Sequence, residues 1–209
     1  MKNDIFITGI DTNIGKTITA AIFTEALKAD YFKPVQSGNL KNTDRMTVEK
    51  LVSNSKSIFH NEIYKFKEPL SPHAAAKKEN IIIDPSKILR PASKNRLIIE
   101  GAGGLLVPLT SNHLMIDLIK DLQCDTVIVS KNYLGSINHT LLTIEILKSK
   151  KIPVLGIVFS GKPNEDSENF ILRYTNCKKL LHIHQETIFN KNIIIKYAQK
   201  LKKNKELLK

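Results

Sequence analysis

The chain has 209 residues, 42% hydrophobic and 25% charged, with a formal net charge of +12. That is the composition of a soluble globular protein with enough chain for one α/β domain and a sizeable core. Two cysteines do not suggest a disulfide framework or a metal cluster, and no apolar run approaches the ~20 residues of a membrane-spanning helix.

The N-terminus, Met1-Lys2-Asn3-Asp4, enters the apolar run Ile5-Phe6-Ile7-Thr8 at once and lacks the apolar core of a signal peptide. The expected location is a reducing cytoplasm, with Cys124 and Cys177 as small buried apolar residues. Ile5 to Thr8 reads as a short strand. The stretch Gly9-Ile10-Asp11-Thr12-Asn13-Ile14-Gly15-Lys16-Thr17 follows, and Ile18 to Lys28 reads as a helix. Strand, glycine-containing turn and Gly-Lys-Thr at a helix start are the context of a phosphate-binding loop. Amides at a helix N-terminus point outward carrying positive partial charge, so they attract phosphate oxygens. Gly15 admits close approach, Lys16 supplies a cation for the β- and γ-phosphates, and the Thr17 hydroxyl can coordinate Mg²⁺. Five residues, Ile10 to Ile14, separate Gly9 from Gly-Lys-Thr, where the usual pattern has four.

Tyr31 to Gly38 reads as a second strand ending in a turn, with Lys33 and Ser37 near its C-terminal end. In open α/β sheets that edge is where ligands bind. A helix begins at Thr43-Asp44, capped by Asn42 or Thr43. Asp44 there favours the helix dipole or serves as an outer ligand of Mg²⁺. Residues 54–80 read as irregular, because Pro69 and Pro72 oppose regular structure. Asp84-Pro85-Ser86 caps a short helix through Leu89.

Arg96 to Gly104 is an apolar strand ending in Glu100 and a glycine run. In phosphate-loop proteins the corresponding strand delivers a carboxylate to the Mg²⁺ shell. Met115 to Leu122 is a short helix, and Thr126 to Ser130 an apolar strand of the kind buried in parallel sheets. Ser136 is expected to cap a helix that places Ile137, Leu141, Ile144 and Leu147 on one face. The N-terminus of that helix suits an anion such as a carboxylate. Ile152 to Phe159 is a further buried strand, and Glu165 to Tyr174 a helix. His182 and His184 share one strand face and read as structural, because no third metal ligand lies nearby in sequence.

Residues 190–209 hold seven lysines against one acid, Glu206. They read as a terminal helix with a solvated basic face; aromatic interleaving and an arginine cluster, the marks of a nucleic-acid surface, are missing. Alternating strands and helices argue one domain over residues 1–209. Its expected fold is a phosphate-loop α/β fold, a mostly parallel sheet with helices on both faces.

Five motifs in order then resemble the dethiobiotin synthetase family: Gly9 to Thr17, Phe32-Lys-Pro-Val-Gln-Ser-Gly38, Glu68-Pro-Leu-Ser-Pro-His73, Glu100-Gly-Ala-Gly-Gly104 and Leu134-Gly-Ser-Ile-Asn-His139. The resemblance implies an ATP- and Mg²⁺-dependent ligase of biotin biosynthesis, a cytoplasmic homodimer. It would close the cyclic urea of dethiobiotin from 7,8-diaminopelargonic acid and CO₂. It implies that Asn13, Ile14, Gly15, Lys16, Thr17 and Ile18, with Asp44, Glu100, Gly101, Ala102 and Gly103, bind the nucleotide. Thr17, Asp44 and Glu100 would hold the metal, and Lys16, Lys33, Thr12 and Ser37 would surround the reacting groups. Pro72, and Gly135, Ser136, Ile137 and Asn138 across the dimer interface, would contact the substrate. Neither a nucleic-acid nor a membrane partner is implied. The chain departs from the family at its C-terminal end. It has Ser160-Gly161 where an Asn-Asp pair for the adenine is usual, and Leu181-His182-Ile183-His184 where a proline-bounded segment is usual. Weak discrimination among nucleotide bases is the expectation. A partitioning-type ATPase is the competing class, but its loops carry a second lysine near the first glycine, absent here. An amidotransferase-linked synthetase would need a further glutaminase domain.

Overall fold

The structure is a computed structural model and describes residues 4–203. A seven-stranded sheet forms its centre. The strands are β1 (Ile5–Gly9), β2 (Asp30–Phe32), β4 (Phe59–His60), β6 (Leu97–Gly104), β7 (Asp125–Lys131), β8 (Val154–Ser160) and β9 (Lys179–Ile183). Their order is β4-β2-β6-β1-β7-β8-β9, and each neighbouring pair runs parallel. β3 (Val35–Ser37) and β5 (Tyr64–Phe66) pair separately as a two-stranded parallel ribbon.

Two apolar layers follow from the two-residue period of the strands, which sends successive side chains to opposite faces. Ile5, Ile7, Ile98, Val127, Val129 and Val158 pack against α1 (Lys16–Leu27), α2 (Asp44–Leu51) and α7 (Lys191–Lys202). Phe6, Leu97, Ile99, Ile128, Ile157 and Phe159 face α3 (Pro72–Lys78), α4 (Met115–Asp121), α5 (Ser136–Ser149) and α6 (Glu165–Thr175). With both faces covered, the strands read as continuous apolar runs.

Four sequence expectations are corrected. Tyr31 to Gly38 is two strands, because Pro34 cannot donate to a ladder and the chain leaves the main sheet there. Residues 54–80 contain β4, β5 and α3: Pro72 occupies the first turn of α3, where a missing N–H costs nothing. Ser136 is not the cap of α5. Gly135, with φ of 101°, is the cap, and the Ser136 hydroxyl instead accepts from the Tyr133 amide at 3.3 Å. The helix after Asp84 is one 3₁₀ turn, Pro85–Lys87.

Elsewhere boundaries agree closely. Thr43 caps α2 by accepting from the Met46 amide at 3.3 Å. Cys124 is buried and Cys177 only half-buried. The lysine-rich end of the chain forms α7 as far as Lys202, with Ile194, Tyr197, Ala198 and Leu201 buried; residues 204–209 of that tail lie outside the described residues.

Candidate active site

The C-terminal ends of β1, β2 and β6 meet at a cleft of about 720 Å³. β1 delivers the phosphate loop. Gly15 caps α1 with φ of 100°, a left-handed conformation that a side chain would strain, and Asn13 is also left-handed. The loop is fastened from below. Ser160 at the end of β8 donates its hydroxyl to the Ile14 carbonyl at 2.7 Å, and Thr19 donates to the Gly15 carbonyl at 2.9 Å. The first turn of α1 carries no acidic side chain, so its positive end faces the cleft unneutralised.

Lys16 is buried and donates to the Asp11 carbonyl across its own loop at 2.6 Å. Burial lowers its pKa to about 8, against the opposing pull of Glu100. Lys33, also buried, lies between two carboxylates: Asp44 Oδ2 at 2.7 Å and Glu100 Oε1 at 3.2 Å. Burial opposes its charge, but those two acids more than compensate and raise its pKa. Glu100 is only 1% exposed, and burial pushes its carboxyl upward while Lys33 pulls it down. Its Oε1 also accepts from the Thr17 hydroxyl at 2.9 Å, and its Oε2 from the Tyr31 hydroxyl at 2.8 Å.

Thr17 lies against Glu100, and Asp44 reaches the same carboxylate through the Lys33 ammonium, so the three side chains offer an all-oxygen donor set in one cleft beside the phosphate loop, the ligand chemistry that suits a magnesium ion. In the same cleft the Ser37 hydroxyl is buried with no protein partner. An atom in that state is free to bond whatever enters the cleft.

Of the residues singled out in the sequence, Thr12, Asn13, Ile14, Gly15, Lys16, Thr17, Ile18, Lys33, Ser37, Asp44, Pro72, Glu100, Gly101, Ala102 and Gly103 all line the cleft. Gly135, Ser136, Ile137 and Asn138 are not among its lining residues; they begin α5, beside the wholly exposed Leu134. Sequence reasoning missed Tyr31, although the strand period places it on the face of Lys33, two residues on. It also missed the apolar lining by Val35, Leu70 and Val107. His182 is held by structure: Nε2 meets the Gly161 carbonyl at 3.1 Å and Nδ1 lies 3.1 Å from Glu168.

A family model described as an AAA domain matches residues 3–192. Solved structures with the same architecture include the septum site-determining protein MinD complexed with Mg-ADP from Pyrococcus horikoshii OT3. It has a TM-score of 0.62 at 13% identity, covering 99% of this chain and 98% of that one. A ParA family ATPase from Chlorobium tepidum TLS has a TM-score of 0.56 at 15% identity, over 94% of this chain and 98% of that one. At such identities the likeness establishes the phosphate-loop α/β fold alone. Sequence relatives are far nearer. An ATP-dependent dethiobiotin synthetase BioD of Cytophaga hutchinsonii is 49% identical over 94% of this chain and 95% of its own length. One of Christiangramia forsetii is 46% identical over 97% of this chain and 98% of its own. Agreement at that level over nearly the whole length, with the phosphate loop and acidic strand end in place, decides the family: the chain belongs to the ATP-dependent dethiobiotin synthetases.

Proposed function

We propose that the cleft closes the cyclic urea of dethiobiotin from 7,8-diaminopelargonic acid and CO₂, at the expense of ATP and in the presence of Mg²⁺. One observation carries this: two buried lysines, Lys16 and Lys33, converge with Thr17, Asp44 and Glu100 beside the phosphate loop. Each step of such a reaction moves negative charge, so fixed cations and dipoles are the catalysts it needs.

One substrate amine attacks CO₂; a C–N bond forms, the amine loses a proton, and a carbamate results. Lys33 is held protonated by its two carboxylates, so it can neutralise that carbamate. A carbamate oxygen then attacks the γ-phosphorus while the bond to the β-phosphate oxygen breaks, releasing ADP. Lys16 remains largely protonated at neutral pH. It exchanges the Asp11 carbonyl for phosphate oxygens as the nucleotide binds. The second amine attacks the mixed-anhydride carbonyl, loses its proton, and expels phosphate. Thr12 and the unpartnered Ser37 hydroxyl orient the reacting groups. Thr17, Asp44 and Glu100 would hold Mg²⁺, which when bound neutralises phosphate charge.

The substrate carboxylate is assigned to the start of α5, Gly135 to Asn138, in a second copy of the chain, and the active form is a homodimer. That end of α5 carries no acidic residue in its first turn, which supports an anion there. Among the described residues no helix is long and apolar enough to cross a membrane. A cytoplasmic location is part of the proposal.

ADP release measured with each component omitted in turn tests the assignment. Release is expected only when bicarbonate and diaminopelargonate are both present. ADP formed at full rate without the diamine would refute it.

A further inference from the structure

We infer that Tyr31 is a positioning residue for Glu100: its hydroxyl holds one carboxylate oxygen so that the other stays turned to the phosphate loop. The inference rests on the assignment of Glu100 to the metal shell.

The two oxygens of Glu100 live in different surroundings. Oε1 receives Thr17 at 2.9 Å and Lys33 at 3.2 Å, both of which line the cleft. Oε2 receives Tyr31 at 2.8 Å, and Tyr31 does not line the cleft. The tyrosine is fully buried in the apolar layer beneath α1. Oε2 is thus supplied from the core and Oε1 from the site.

Strand register explains how a core residue reaches a site residue. β2 and β6 run parallel with Tyr31 opposite Ile98 and Phe32 opposite Ile99. Continuing that register sets Lys33 beside Glu100. Side chains two residues apart share a face, so Tyr31 lies diagonally behind Glu100, within the reach of an aromatic side chain. Apolar packing alone requires only the ring at position 31. Among the described residues, the hydrogen bond of the hydroxyl goes to Glu100. Without it, a buried carboxylate oxygen loses its donor, and the group gains by turning both oxygens toward Lys33 and Thr17. The metal-facing geometry is then lost although every lining residue remains.

The test is equilibrium Mn²⁺ binding to the folded protein with a non-hydrolysable ATP analogue, free Mn²⁺ being read by electron paramagnetic resonance. Removing a residue that orients a metal ligand typically costs 10- to 100-fold in metal affinity, and that loss is expected for Tyr31→Phe. Tyr64→Phe is the structural control. It removes a half-buried hydroxyl that bonds the Asp84 backbone away from the cleft, and its Mn²⁺ affinity should not change. Glu100→Gln should weaken Mn²⁺ at least as much as Tyr31→Phe, and adding Tyr31→Phe to it should have no further effect. Tyr31→Leu, which keeps an apolar core without a donor, should show the same loss and serves if the phenylalanine variant does not fold. Unchanged affinity in Tyr31→Phe alongside weakened Glu100→Gln overturns the positioning role and leaves the metal assignment standing. Unchanged affinity in Glu100→Gln overturns the metal assignment and this inference with it.

Discussion

Replacing Lys33 by Met keeps the aliphatic stem and removes the charge. Lys33 is 4% exposed and bonded to Asp44, to Glu100 and to the Gly101 carbonyl at 3.3 Å. A lysine at the ligand-binding edge of a sheet can ordinarily be truncated without loss of core volume; the burial and the two acids make Lys33 different. Removing one partner of a buried ion pair costs ~3–5 kcal/mol, because the other charge is left uncompensated. Here the lower end applies, since Glu100 keeps its Tyr31 and Thr17 donors and Asp44 reaches solvent. About 3 kcal/mol corresponds to a melting temperature lower by roughly 6–12 °C in a domain of this size. Turnover should fall independently by ~10²–10³, the usual effect of deleting one transition-state charge contact. The assays are a thermal melt and ADP release at saturating bicarbonate and diaminopelargonate, run below the variant's melting temperature. Near-normal turnover would remove Lys33 from the catalytic set. An unchanged melt would show that Glu100 is neutralised at little cost and that the charge triad is not structural.

Asp44→Asn and Glu100→Gln should each raise the Mg²⁺ concentration for half-maximal rate more than the KM for the diamine. An unchanged metal requirement in both would sink the metal assignment. ATP, GTP, CTP and UTP should differ little in kcat/KM, because the residues around the phosphate loop would contact groups that all four share and the Ser160 hydroxyl is committed to the Ile14 carbonyl. A preference for ATP of ~10³ or more, about 4 kcal/mol, would reveal a specific base pocket. Asp30 gives an acid-stability prediction. Burial raises its pKa, but hydrogen bonds from Ser93, Asn95 and the Ile58 amide, with the His60 ring 3.5 Å away, outweigh this and hold it below 3.8. A depressed carboxyl stabilises above its unfolded pKa and loses that contribution as pH falls through the folded value. Asp30→Asn should therefore unfold with a shallower pH dependence below about 3.8, and an unaltered acid transition, followed by circular dichroism, would refute the role.

Local patterns by themselves determined the phosphate loop, the acidic strand end and the alternation of strands and helices outside residues 31–80. Each rests on near neighbours in the chain: apolar period, glycine position, and a lysine or acid at a fixed offset. Lys16, Thr17, Lys33, Asp44 and Glu100 were legible for that reason: Lys33 and Glu100 belong to the C-terminal edge of parallel strands, Lys16, Thr17 and Asp44 open helices, and such positions converge. Tertiary structure alone decided the rest. Tyr31 reads as an ordinary strand aromatic until β2 is set beside β6 and its hydroxyl meets Glu100, 69 residues away. Ser160 reads as a missing base contact until β8 brings it beneath the loop, 146 residues away, where it holds the Ile14 carbonyl. The ribbon of β3 and β5 was hidden because Pro34 marks a break in hydrogen bonding without saying where the chain goes next. Strand register and burial are properties of pairs distant in sequence, and the charge state of Lys33 and Glu100 depends on both.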